Sequence, residues 1–210
     1  MKKHAFTLAE VLITLGVIGV VAAMTLPIVI NSYKDQVQLS LFKKIYSNIS
    51  QAIRMVKAEN GYYPICLAGN SSECLTLYEE FTKHMKVVKK CQDNAYIGGC
   101  IPHYEDSNND YIPNGCSYFK VSKVNSKSSA FVFADGSILF SYHKLENSAG
   151  YNGNQIFAID INGFKGPNKW GYDLFPLAFE TKNNDEINIV SSGCAHAAPG
   201  GKSTETMLKK

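Results

Sequence analysis

The sequence predicts an α+β fold: a long N-terminal α-helix, membrane-spanning in its first half, packed on a C-terminal antiparallel β-sheet. Three observations predict it. An apolar run from Phe6 to Ile30 carries Glu10 as its one charged residue; helical spacing of apolar residues then continues to about Glu59; and the second half of the chain holds β-rich runs separated by Asp-Gly and Asn-Gly turns.

The first run spans roughly 25 residues, enough to cross a bilayer as one helix. A secretory signal has a shorter apolar stretch of about 7 to 15 residues with the cut behind it, whereas here the cut falls in front. Lys2 and Lys3 hold the short leader, residues 1–5, on the cytoplasmic side, so the chain after Ile30 is exported and the protein is single-pass. Pro27 lacks a backbone donor and crowds the preceding turn, which predicts a kink near the outer end of the span. Gly16 and Gly19 permit close helix approach, but their spacing is not that of a GxxxG pair.

Glu10 is the anomaly, because a carboxylate inside a membrane helix costs about 2.5–3.5 kcal/mol on insertion scales and calls for a partner. The segment offers it no countercharge. Two readings stand: the partner is the α-amine created at Phe6 of a staggered neighbouring subunit, or Glu10 lies close enough to the interface to stay hydrated or protonated.

Lys2-Lys3, the small Ala5, the stretch Phe6-Thr7-Leu8-Ala9-Glu10-Val11-Leu12-Ile13, and Pro27 within the apolar helix together resemble the leader and N-terminal helix of type IV pilins and type II secretion pseudopilins. The resemblance covers about the first 55 residues. It implies cleavage between Ala5 and Phe6 by prepilin peptidase, N-methylation of Phe6, registration of subunits through Glu10, and polymerisation on an inner-membrane assembly platform. Ala5 departs from the family's usual Gly before the cut, which bears on processing efficiency.

Beyond Tyr33, Val37, Leu41, Ile45, Ile49, Ala52, Ile53 and Val56 recur at helical spacing with Lys43, Lys44, Ser47, Gln51 and Lys57 on other faces, so residues 31–60 form an amphipathic continuation. Asn60-Gly61 provides the stop. Thr7 to Glu59 as one helix measures roughly 80 Å. The apolar stripe is the face laid against the exported domain, residues 61–210.

That domain opens with a loop-rich stretch to about Lys127, in which a helix from roughly Cys74 to Lys89 is the one periodic piece. Strands are predicted at Ser129–Ala134 and Ser137–His143, joined by Asp135-Gly136 as a two-residue turn. Others follow at Gln155–Ile161, Tyr172–Phe179 and, more weakly marked, Ile187–Val190. Gly200-Gly201-Lys202-Ser203 reads as a flexible terminus.

The six cysteines, Cys66, Cys74, Cys91, Cys100, Cys116 and Cys194, read as a disulfide framework in an exported domain. Six sulfurs allow 15 connectivities. Local pairing favours Cys66–Cys74 and Cys91–Cys100, with Cys116–Cys194 as the remainder. A zinc site from Cys91, Cys100, His103 and Cys116 is disfavoured by the lack of a close CxxC pair, and the same lack argues against redox catalysis.

Two acidic loops bear on metal binding. Asp106-Ser-Asn108-Asn109-Asp110 begins like an EF-hand, but Tyr111 stands where Gly is needed and no Glu closes the loop. The loop from Asp160 to Asp173 resembles the stretch before the final strand of pseudopilins, some of which bind calcium. Asp160, Asn162 and Asp173 offer oxygen ligands for Ca2+; the alternative is turn chemistry, with Asp173 as a cap.

No enzyme is indicated: the five histidines are scattered, and Lys202-Ser203-Thr204 lacks P-loop glycine spacing. Nucleic acid is not an expected partner, since the net charge of +3 falls by two to +1 once Lys2 and Lys3 are removed; the run Lys83, Lys86, Lys89, Lys90 is the solvated face of a helix. Expected partners are other pilin or pseudopilin subunits, the peptidase, the assembly platform and membrane lipid. The alternative, a tethered binding module with the helix as mere anchor, has no use for Glu10 or for a cut that retains the helix.

Overall fold

The computed structural model describes residues 7–62, 71–104, 119–141, 155–182, 186–194 and 197–210, and the side chains of residues 71–76, 121, 126, 127, 155, 181 and 182 are outside it. The expectations for Ala5, Phe6, Cys66, Cys116 and the 106–111 loop therefore lie outside the described residues, as does the Cys74 side chain.

Helix α1 runs Leu8–Asn60, 53 residues, and continues through Pro27. Gly61, at φ 77°, ends it as expected, its N–H donating to the carbonyl of Lys57 at 2.9 Å. Two compact units divide within this helix, the first ending at Leu39 and the second running Ser40–Lys210.

The second unit follows the order α1, α2 (Ser71–Lys83), β1 (Val87–Cys91), α3 (Val121–Lys127), β2 (Ser129–Phe133), β3 (Ile138–Ser141), β4 (Gln155–Asp160), β5 (Leu174–Lys182), β6 (Glu186–Ser191) and α4 (Thr204–Leu208). The six strands form one antiparallel meander in chain order. Sequential neighbours need only local connections, the cheapest sheet topology for a chain to form.

Both sheet faces are apolar, for two reasons. Phe131, Leu139, Ile159 and Phe175 sit in register across β2–β5, and their face meets the helices: Phe42 packs edge-on to Phe175 at 5.1 Å, and Tyr78 and Phe81 lie on Phe131 and Phe179. From α1 this layer takes Phe42, Ile45, Ile49, Ala52, Ile53 and Val56, all buried; Ile45 to Val56 are the part of the expected stripe that packs here, whereas Val37 is exposed, Leu41 is half-buried and Phe42 takes the inward position instead. The opposite face, with Ala130, Phe140, Ala158 and Ala178, packs with Cys91 at the end of β1 and with Cys100, Ile101, Tyr104, Phe119, Trp170 and Cys194 from the connecting segments. A period of two with both sides covered gives continuous apolar strands rather than alternating ones.

Five expectations need correction. The stretch read as loop to about Lys127 ends in a helix, Val121–Lys127. The helix expected to reach Lys89 ends at Lys83, and β-branched Val87 and Val88 begin an edge strand held to β2. The basic run is thereby split between helix and strand: Lys83 pairs with Glu80, Lys90 with Glu79 at 2.8 Å, and Lys89 donates to the Gly99 carbonyl. The β2–β3 connection is a three-residue loop, Ala134 to Gly136, since Phe133 N–H donates to Ser137 O and Gly136 N–H to Phe133 O; Gly136 supplies φ 87°. Residues 200–203 are built rather than loose: Gly201 and Lys202 N–H donate to the carbonyls of Ala198 and Gly171, and Ser203 caps α4, which buries Thr204 and Met207.

Of the expected disulfides, Cys91–Cys100 is formed, which removes two ligands from the zinc alternative. Cys194 is also disulfide-bonded and fully buried; the remainder pairing with Cys116 falls outside the described residues.

Candidate functional site

Two places concentrate the chemistry that the sequence singles out: the start of α1 in the first unit and the Asp160–Asp173 loop in the second.

In the first unit the side chains of Leu8 through Ile30 are almost all exposed, and an 18-residue window within α1 has a mean hydropathy of 2.5 with none of it buried. Such a helix is long and apolar enough to cross a membrane. Its hydroxyls are satisfied internally, Thr14 donating to the Val11 carbonyl at 3.0 Å and Thr25 to the Val21 carbonyl at 2.9 Å, as a lipid environment requires.

Glu10 has an uncharged partner one turn away, Thr7. Thr7 N–H donates to Glu10 Oε2 at 2.8 Å, Thr7 Oγ1–H donates to the same oxygen at 2.9 Å, and Glu10 N–H donates back to Thr7 Oγ1 at 3.2 Å. Leu8 is the first helical residue, so Thr7 is the N-cap and Glu10 the third residue of the first turn. This is a reciprocal capping box, legible as T-x-x-E before an apolar run. The negative side chain also lies at the positive end of the helix dipole.

The second place is built by the β4–β5 connection. Asp160, last residue of β4, accepts from the N–H groups of Asn162 and Gly163 on Oδ1 and from the Tyr104 hydroxyl on Oδ2 at 3.2 Å. Asp173, just before β5, accepts from the N–H groups of Asn168 and Lys169, each at 2.6 Å. Gly163 is obligatory here. At φ 64° a Cβ would lie 2.0 Å from the Gly136 carbonyl oxygen, because this turn rests on the β2–β3 turn.

Both carboxylates are buried. Burial, and then the neighbouring Asp173 charge, push the Asp160 carboxyl well above its ordinary range; burial raises Asp173 too, against the pull of the Asn168 and Lys169 N–H groups. Tyr104 is raised by burial and then by the adjacent Asp160 carboxylate. Asn162 Oδ1 and Asn168 Oδ1 are buried and accept no hydrogen bond.

The loop thus has the features of both readings given by the sequence. Its carboxylates cap turns, while its two unsatisfied amide oxygens and two costly buried carboxylates suit an oxygen-liganded hard cation. Asp160, Asn162 and Asp173 lie in one turn network, with Asn162 N–H donating to Asp160; Tyr104 and Asn168 join it through their bonds to Asp160 and Asp173 and carried no readable spacing signal toward Asp160. Among the described residues no group of three or more His, Cys, Asp or Glu forms.

Ser137, Asp135 and His84 line one groove, yet they do not make a nucleophilic relay. The Ser137 hydroxyl donates to Asp135 at 2.6 Å, Asp135 pairs with Lys44 at 3.0 Å, and the His84 ring lies 3.2 Å from Glu59.

No curated protein and no solved structure matches the chain. Residues 1–26, which include Thr7, Glu10 and the first half of the apolar helix, match the family model of the prokaryotic N-terminal methylation motif, the signal of type IV pilins and pseudopilins and a structural rather than enzymatic one.

Proposed function

We propose that this chain is a structural subunit, pilin or pseudopilin, which prepilin peptidase cuts between Ala5 and Phe6 and which is then N-methylated at Phe6. It polymerises through its N-terminal helix into a type IV pilus or a type II secretion pseudopilus. The carrying observation is the coincidence of the methylation motif with an exposed apolar helix that has an acidic residue in its first turn. An anchor alone requires the apolar length but not Glu10. Partners on this reading are further subunits, the peptidase, the inner-membrane assembly platform and lipid, and the second unit is exported.

Glu10 registers subunits by accepting the Phe6 amine of a neighbour. The capping box is compatible with this, since both Thr7 donors use Oε2 and leave Oε1 for the incoming amine. Pro27 serves as a point where the helix opens or bends, because it gives the Ala23 carbonyl no N–H. In the exported unit the Asp160, Asn162 and Asp173 loop takes Ca2+, which supplies positive charge to its buried carboxylates.

The test is Glu10→Gln, co-expressed with the assembly machinery and scored as sheared filaments or subunit crosslinks against total membrane protein. Breaking one side of a buried charge pair costs roughly 3–5 kcal/mol, so assembly should be suppressed while insertion and folding are kept. Normal assembly at normal protein level rules out registration through Glu10.

A further inference from the structure

Two methionines and a histidine of the second unit border one groove between α1 and the segment that leads into β1. His84 and Met85 form the turn that leaves α2, fixed by the His84 N–H donating to the Phe81 carbonyl at 3.2 Å and the Met85 N–H to the Thr82 carbonyl at 3.1 Å. Both line the groove, and so does Met55 from α1.

The groove has two chemically distinct ends. Lys44, paired with Asp135 at 3.0 Å, marks one. Met55 stands three turns further along α1, and one turn beyond it is Glu59, whose Oε2 lies 3.2 Å from His84 Nε2. Residues four apart share a helix face, with about 5–6 Å between their Cβ atoms, so Met55 lies beside the residue that the His84 ring approaches. The second end is therefore made by two thioethers and an imidazole.

Core packing does not account for Met55. It is 52% exposed, the one large apolar side chain left exposed on α1 within the second unit, among neighbours such as Asn48, Gln51 and Arg54. Thioether sulfur is a soft, polarisable donor, and together with imidazole it suits Cu(I) rather than a hard cation. A ligating histidine characteristically turns its other ring nitrogen to a carboxylate. His84 Nε2 is buried near Glu59 without an aligned hydrogen bond; a metal on Nδ1 keeps the ring proton on Nε2, facing that carboxylate.

We propose that Met55, His84 and Met85 form a Cu(I) site, with two sulfurs and the His84 Nδ1 as ligands and Glu59 as the positioning residue for the ring.

The experiment uses full-length protein in detergent micelles, labelled with 13C at the methionine methyls, and titrates it with Ag+, the redox-inert analogue of Cu(I), in chloride-free buffer; Cu(I) held reduced by ascorbate follows. At one equivalent the Met55 and Met85 methyl resonances are expected to shift, while those of Met24 and the buried Met207 stay. Met55→Leu and Met85→Leu conserve volume and, like His84→Gln, are each expected to weaken binding about tenfold or more; Met207→Leu is expected to bind as wild type. Thermal unfolding without metal checks the fold of each variant. Unmoved Met55 and Met85 methyls at one equivalent, or wild-type affinity in the double substitution Met55→Leu, Met85→Leu, overturns the site. Displacement of Ag+ by equimolar Zn2+ overturns its assignment to a soft cation, and wild-type affinity in His84→Gln overturns the imidazole ligand.

Discussion

Thr7 and Glu10 satisfy each other: the hydroxyl and N–H of Thr7 donate to one carboxylate oxygen of Glu10, and the Glu10 N–H donates back to the Thr7 hydroxyl. The acidic residue of the apolar helix is therefore held within its own chain. A carboxylate that accepts two hydrogen bonds at a helix N-terminus enters an apolar phase at lower cost than a bare one.

This relationship gives the first prediction. Thr7→Val keeps the shape and the N–H but removes the hydroxyl, so the start of α1 should fray at a cost of about 1 kcal/mol, while Thr7→Ser should not. Amide hydrogen exchange of the first helical turn, measured by NMR in micelles, checks it. Equal protection in Thr7→Val and wild type contradicts the capping box.

A second prediction concerns the staple between β1 and the loop that follows it. Cys91 and Cys100 close a short loop, with a sequence separation of 9, and on chain-entropy grounds such a crosslink contributes about 2–3 kcal/mol. Chemical denaturation of the double substitution Cys91→Ser, Cys100→Ser should show that loss with the fold retained. No change in the transition midpoint refutes the assignment of a stabilising bridge here.

The third follows from Asp135. Burial pushes its carboxyl up, but the Ser137 hydroxyl and N–H and the Lys44 ammonium outweigh this and leave it below the ordinary carboxylate range. The folded state thus keeps the charge to lower pH than the unfolded chain. Its contribution is complete above the unfolded value of about 3.9 and is lost as pH falls through the folded one. The pair is partly exposed, so the contribution is under about 1 kcal/mol. Lys44→Ala should lower stability at pH 7 slightly and flatten the acid limb of the stability profile, measured as midpoint against pH; an unchanged limb contradicts the ion pair.

Phe42 supplies the fourth. It is 1% exposed and meets Phe175 edge-on at 5.1 Å, joining α1 to the sheet within the second unit. Phe42→Ala should cost about 3–5 kcal/mol in thermal or denaturant unfolding of the full chain. A cost below about 1 kcal/mol would mean that α1 is not part of this core.

Much of this architecture was legible because its signals are local. Apolar length marked the first half of α1, helical spacing from Leu41 to Val56 marked the buried stripe, and turn residues at Asp135-Gly136 and Asn162-Gly163 marked strand ends. The misread pieces depend on distant partners. Val87–Cys91 is a strand because β2 pairs with it, Val121–Lys127 has a lysine N-cap without a side-chain cap bond, and the terminal Gly200 and Gly201 are fixed by contact with residues 171 and 172. At the sites the same division holds. Thr7–Glu10 follows a three-residue spacing and could have been read, whereas Tyr104 reaches Asp160 across 56 residues by way of the fold.

The central claim, that this chain is a processed subunit, is tested most directly at its leader. Intact-mass measurement of membrane-extracted protein, from cells with an active prepilin peptidase, should show loss of Met1 through Ala5 and one added methyl group at Phe6, and a bulky residue in place of Ala5 should block the cut. Recovery of the full-length, unmethylated chain from such cells would contradict the account.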